Sequence, residues 1–205
     1  MKKIFKIILF IFTITITNPV FANSQNPLNS TLTTINYEDI REQAKILYMG
    51  NQPQTAQKHI NSIPEENKTA FDYYLIGLTE KDNSKAIKSY QKATKIDETF
   101  YQAYYNMAEQ YFQLQNYDKA IENYKLAIKY NKKLDYAYYN LGCVYLTKND
   151  YNNARKSFES AIKINPKEPD YYYNLGFTYK KLNNIKRANK AITLYNELIK
   201  QRTEN

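Results

Sequence analysis

The sequence predicts an all-α fold, an array of antiparallel helix pairs in about five repeats, and three observations carry that expectation. Glycine and proline are scarce, at 4 and 6 among 205 residues, which favours long helices and tight turns over a loop-rich β fold. Several columns of side chains recur at an interval of 34 residues: Tyr104, Tyr138 and Tyr172; Tyr111, Tyr145 and Tyr179; Ala120, Ala154 and Ala188. Within each interval apolar residues line one face twice at helical spacing, so each unit is two helices.

The first 22 residues stand apart from the repeats. Lys2, Lys3 and Lys6 precede an apolar run over 7–16, Pro19 breaks it, and Val20-Phe21-Ala22 places acceptable residues before a cleavage point. This is the layout of a secretory signal peptide cut after Ala22. Retained as an anchor, the stretch barely reaches the roughly 20 residues that span a bilayer, and only then is membrane contact expected. Either way the lysines stay inside and the rest is exported, to a periplasm or beyond the cell. Residues 23–36, NSQNPLNSTLTTIN, are polar and aperiodic and predict a flexible spacer.

The formal charge is +9, and three of those charges belong to the leader. The remaining chain carries 26 basic and 20 acidic residues, a mild excess of +6 spread along its length. Nucleic-acid binding needs a clustered basic stripe, and none is present, so no nucleic-acid partner is expected.

The units follow in order. Residues 37–69 carry the pattern most weakly, with Ala44, Ala56 and Ile60 in register. Residues 70–100 match from Tyr73 to Gly77 and again from Ala86, with the segment between the helices about three residues short. Residues 101–134 and 135–168 are full units. In the latter the helices are expected over 136–148 and 151–164, with Asn149-Asp150 in the turn and Pro166 as the stop. Tyr138, Leu141, Gly142 and Tyr145 share one face of the first helix, and Ala154, Phe158, Ala161 and Ile164 one face of the second. Small residues at Gly142, Ala154 and Ala161 allow a close approach that the large ones fill. Residues 169–202 match through Ala188 and then depart, with Ile192 and Tyr195 in place of an aromatic and an alanine; 203–205 form a tail.

With these columns the chain resembles the tetratricopeptide-repeat (TPR) family. DYAYYNLGCVYLTKNDYNNARKSFESAIKINPKE matches the family pattern of an aromatic, Leu-Gly, Tyr, Ala, an aromatic, Ala and Pro, with Tyr138 in place of the usual Trp. The resemblance covers about four-fifths of the chain. It implies a right-handed superhelical TPR solenoid whose concave groove receives an extended or helical peptide.

A second stripe lies on roughly the opposite side of each first helix from the core. It comprises Tyr105, Asn106, Glu109 and Phe112; Tyr139, Asn140, Cys143 and Leu146; and Tyr173, Asn174, Phe177 and Lys180. The resemblance places this stripe in the groove as a peptide-binding surface. Tyrosine there offers contact area and a hydrogen-bonding tip. The asparagine column, Asn106, Asn140 and Asn174, offers a donor and an acceptor to a peptide backbone. TPR grooves that grip a C-terminal carboxylate place Lys or Arg in these slots, which here hold Tyr, Asn, Glu, Cys and Phe, so no such clamp is expected.

Catalytic chemistry has little raw material. His59 is the only histidine and Cys143 the only cysteine, so neither a metal cluster nor a His-based triad can be assembled. Cys143 has no histidine in its repeat and is expected as a groove-lining residue, and Glu65-Glu66 and Asp97-Glu98 as helix-end residues. No cofactor, metal or small-molecule substrate is expected. The chain therefore predicts an exported, non-enzymatic module that binds another protein or peptide and scaffolds an envelope complex. The alternatives are an accessory subunit of a cell-wall or protease enzyme and a secreted effector of a host protein. These share one fold, which does not fix function.

Overall fold

The computed structural model describes residues 35–204; the leader at 1–22 and the spacer as far as residue 34 lie outside the described residues. Ten α-helices and one 3-10 turn make up the described residues, with no strand among them. They form five pairs: α1 (Tyr37–Met49) with α2 (Pro53–Asn61), α3 (Ala70–Thr79) with α4 (Asn83–Ile96), α5 (Tyr101–Gln113) with α6 (Tyr117–Tyr130), α7 (Asp135–Thr147) with α8 (Tyr151–Ile164), and α9 (Pro169–Lys181) with α10 (Ile185–Thr203). The 3-10 turn, Glu65–Asn67, links the first two pairs. Each second helix also packs against the first helix of the next pair, which gives the helical solenoid that the sequence predicts. The last helix runs to Thr203, into the residues expected as a tail.

Three-residue turns join the helices within every pair. Four of the five turns use one device. Asn51, Gln115, Asn149 or Asn183 adopts a φ of 57–59°, and the next residue bonds five positions back: Asn116 N–H to the Tyr111 carbonyl at 2.8 Å, Asp150 to Tyr145 at 2.8 Å, Asn184 to Tyr179 at 2.9 Å. This closes the helix by satisfying carbonyls that lack a helical partner, and asparagine tolerates the left-handed region better than most residues. The same residue then opens the next helix. The side chains of Asn116, Asp150 and Asn184 accept from the N–H groups of Lys119, Asn153 and Arg187, an N-cap.

The second pair departs from this plan, and from the expectation. The missing three residues come not from the turn but from α3, which has 10 residues where α5, α7 and α9 have 13. A reciprocal cap between Thr69 and Asp72 fixes its start, and Glu80 leaves the helix with ψ 134°. Its last turn is therefore absent, together with the position held by Tyr111, Tyr145 and Tyr179 in the later units.

Within each pair the helices cross at the eighth position of both. Gly77, Gly142 and Gly176 on the first helix face Tyr90, Phe158 and Ile192 on the second, and Ala108 and Tyr124 hold the same positions in the third pair. A Cβ on Gly142 would lie 2.6 Å from Cε1 of Phe158, and one on Gly77 2.4 Å from Cε1 of Tyr90. The large side chain lies against bare backbone, and Tyr90, Tyr124 and Phe158 are fully enclosed. Alanines at the fourth position of the second helices, Ala86, Ala120, Ala154 and Ala188, are likewise buried. Ile164, expected on the apolar face, is instead exposed; it is the last residue of α8, and Ile96 at the end of α4 is exposed in the same way. The first pair has its own small core around Ala44, Ala56, Ile60 and Ile63, joined to α3 through Leu75. Arg41 of α1 secures it further by donating from Nε to both carboxylate oxygens of buried Asp72, at 3.0 and 2.9 Å.

Gly142→Ala should lower stability by about 1–2 kcal/mol, because overpacking against the enclosed Phe158 ring outweighs the gain of about 1 kcal/mol in helix propensity. Gly176→Ala should be near neutral, because the half-buried Ile192 tip that it meets can move. Urea denaturation of the two variants checks the contrast.

Candidate functional site

Counted from the first residue of each first helix, the stripe occupies positions five, six, nine and twelve. Tyr105, Asn106, Glu109, Phe112, Tyr139, Asn140, Cys143, Leu146 and Asn174 are half-buried, whereas Tyr173, Phe177 and Lys180 are exposed. The structure does more than line these residues up. It links them from repeat to repeat.

The link pairs the tyrosine at position five with the asparagine at position six of the following repeat. Asn106 Nδ2 donates to the Tyr74 hydroxyl at 3.2 Å, Asn140 Nδ2 to that of Tyr105 at 3.0 Å, and Asn174 Nδ2 to that of Tyr139 at 2.8 Å. Each of these tyrosine rings also meets an aromatic ring at the start of the next repeat or, for Tyr74, just before it. Tyr74 meets Phe100 at 5.1 Å and Tyr105 meets Tyr136 at 4.8 Å, both edge-on, and Tyr139 meets Tyr171 at 4.9 Å. Tyr74, Phe100, Tyr136 and Tyr171 were not legible as part of the stripe. The signal for the links is the Tyr-Asn dipeptide at 105–106, 139–140 and 173–174, whose asparagine lies 35 residues beyond its tyrosine partner at Asn140 and Asn174 and 32 beyond it at Asn106.

Glu109 strengthens the central link. Its Oε1 accepts from Asn140 Nδ2 at 2.7 Å and from the Tyr124 hydroxyl. A carboxylate can only accept, so this contact fixes which end of the Asn140 amide points inward. Burial, with the Glu109 charge second, holds the Tyr124 and Tyr105 hydroxyls well above the usual phenol range. Burial likewise raises Tyr139 to about 12 and the Cys143 thiol to about 11, so both are neutral at pH 7. The nearby surface has two hollows. One of about 220 Å³ is lined by Glu109, Phe112, Asn140 and Cys143 together with Tyr124 and Val144. The other, of about 340 Å³, lies at the end of the stripe around Tyr173, Phe177, Lys180 and Ile185.

Tyr173 ends the series. Among the described residues its hydroxyl meets no asparagine; its ring meets Tyr195 of α10 at 5.4 Å, and it stays 51 % exposed, with Phe177 at 43 %. The asparagine amides spend only their nitrogens on the links, and no buried side-chain nitrogen or oxygen among the described residues lacks a partner. The amide oxygens of Asn106, Asn140 and Asn174 thus remain open to solvent or a ligand. The arrangement offers aromatic surface, amide acceptors and one carboxylate. It offers no nucleophile beside a base: Cys143 is held as the thiol, and His59 sits in α2 with its Nδ1 3.0 Å from the Thr55 carbonyl.

Models of the TPR repeat match residues 108–149 and 144–183, and models of the tetratricopeptide repeat match 89–122 and 169–202. A model described as AimR transcriptional regulator-like matches residues 14–103. No curated protein matches the sequence. Among solved structures, a crystal structure of MamA is 22% identical with a TM-score of 0.73, over 79% of this chain and 97% of that one. A MamA fragment from Desulfovibrio magneticus RS-1 is 19% identical with a TM-score of 0.72, over 80% and 96% of the two chains. YrrB, titled a TPR protein with an unusual peptide-binding site, is 18% identical with a TM-score of 0.69, over 80% and 86%. These likenesses establish the fold.

Tyr139→Phe and Asn174→Ala should each cost about 1 kcal/mol of stability, and the double variant little more than either, because both remove one hydrogen bond. Asn140→Ala should cost more, since it also takes a donor from Glu109. Urea denaturation of the four variants measures these terms.

Proposed function

We propose that this chain, which carries tetratricopeptide repeats from residue 89 to residue 202, is an exported, non-enzymatic module that holds a partner polypeptide along the stripe from Tyr105 to Lys180 and scaffolds an envelope complex. The observation that carries the reading is the surplus of binding capacity on that stripe. The repeats are already joined, yet the amide oxygens of the three asparagines accept no hydrogen bond among the described residues, and the Tyr173–Phe177 end exposes aromatic surface. Backbone pairing through the amides and ring contact through the tyrosines are recurring means of gripping a peptide. The peptide-binding site named for YrrB accords with such a use of this architecture. The thiol of Cys143, kept protonated by burial, and the lack of a histidine near it support a binding role over a catalytic one. Export rests on the basic start, apolar run and Ala22 of the leader.

The asparagines are poor probes of this proposal because they also hold the repeats together. Tyr173 and Phe177 take no part in the tyrosine–asparagine links, so Tyr173→Ala/Phe177→Ala should leave the chain folded and cost only about 1–2 kcal/mol, for the lost Tyr173–Tyr195 contact and partial burial. A partner isolated from the envelope fraction should bind this variant at least tenfold more weakly by titration calorimetry, and equal affinity would reject the stripe.

The export proposal has its own check. N-terminal sequencing of the protein recovered from its native cells should begin at Asn23. A sequence starting upstream would contradict cleavage after Ala22.

A further inference from the structure

The shortened α3 leaves a gap with a defined shape. In α5, α7 and α9 the eleventh position is Tyr111, Tyr145 and Tyr179, each buried. Each of these rings has a cation over it: Lys119 at 5.2 Å, Lys125 at 5.9 Å and Arg187 at 5.7 Å. In the second repeat this position falls to Glu80, whose backbone has already left the helix and whose carboxylate accepts from Gln57 Nε2 of α2 at 2.9 Å. No ring is supplied. An open notch of about 370 Å³ lies there between α2, α3 and α4.

The repeat register identifies what the notch lacks. Its walls Tyr73, Ile76, Lys85 and Ser89 stand at the positions that Tyr172, Leu175, Arg187 and Ala191 hold around Tyr179. In the last repeat those residues line, together with Tyr179, a hollow of about 300 Å³; the notch has the same walls and a larger volume without that ring. Lys85 takes the place of the arginine that covers the ring in the last repeat.

Charge narrows the occupant. Four lysines line the notch, Lys68, Lys85, Lys88 and Lys92, against Glu65 and Glu80. Glu65 engages two of them, Lys92 at 2.7 Å and Lys68 at 3.3 Å, and accepts from the Tyr73 hydroxyl at 2.5 Å. Those contacts, with Lys92 first, hold its carboxyl at about 2. Lys85 and Lys88 form no ion pair among the described residues. We propose that this notch takes an aromatic side chain from a partner polypeptide in which acidic residues flank the aromatic. The ring replaces the missing tyrosine against Tyr73 and Ile76, beneath a lysine, and the flanking carboxylates pair with Lys85 and Lys88. The chain's own spacer is not the occupant, because residues 23–36 contain neither an aromatic nor an acidic residue. The site is independent of the stripe, being on the core-facing side of the first helices rather than the outward one.

Selection of peptides from a displayed random library against the full chain tests the proposal. Enriched peptides should carry Phe, Tyr or Trp beside Asp or Glu. A fluorescent synthetic copy should bind Lys85→Glu/Lys88→Glu at least tenfold more weakly. Ser89→Phe, which fills the notch from within, should weaken it similarly, while Tyr173→Ala/Phe177→Ala leaves its affinity unchanged. Enriched peptides without the aromatic–acidic pattern would overturn the proposal. So would a selection yielding no peptide sensitive to the lysine variant, or binding that depends on Tyr173 and Phe177. Should Ser89→Phe fail to fold, the lysine variant decides alone.

Discussion

The fold depends on the close contact between a small residue on the first helix and a large side chain on the second where the helices of a pair cross, made by bare backbone against a ring at Gly77–Tyr90 and Gly142–Phe158. Phe158 lies where a Cβ on Gly142 would stand, so the two helices come closer than ordinary side chains permit. That approach fixes how each first helix is rotated. Positions seven, eight and eleven of α5, α7 and α9 are buried, and positions five, six, nine and twelve lie at the edge of the contact with the second helices, half-buried or exposed. The stripe is thus in the first place a by-product of core packing.

The tyrosine–asparagine links give that by-product a second role. The links between Tyr74 and Asn106, Tyr105 and Asn140, and Tyr139 and Asn174 bind each repeat to the next. Part of the stripe is therefore structural, and in its middle the residues proposed to bind also hold the repeats together. Tyr173 and Phe177 stand outside these links. The second repeat shows the complementary effect. Loss of one helical turn removes a ring that every later repeat supplies and leaves a lysine-rimmed notch.

Much of this was legible in the sequence. The 34-residue columns located the pairs, and the periodicity placed the second helix of the 135–168 unit at Tyr151–Ile164 as found. The shortfall in the second repeat was legible as a number but not as a place. A count of residues between two columns cannot say whether a helix or its turn has lost them, whereas the backbone of Glu80 can. The asparagine column was legible as well, but not its use. A column shows that a side chain recurs, and the partner of Asn140 is a tyrosine 35 residues earlier, brought near only by the stacking of repeats. Ile164 misled because helical periodicity assigns a face but not whether a neighbour extends far enough to cover it.

Chemistry on the outward stripe amounts to hydrogen bonding and ring contact, with neutral Tyr and Cys side chains around a single glutamate in its middle. The central claim, that a polypeptide lies along it, is tested most directly by site-specific photo-crosslinking in the native cells. A photoreactive residue at Phe112 or Phe177 should yield the same partner adduct, and one at exposed Lys156 on α8 should yield none. Adducts from position 156 but not from 112 or 177 would contradict the account.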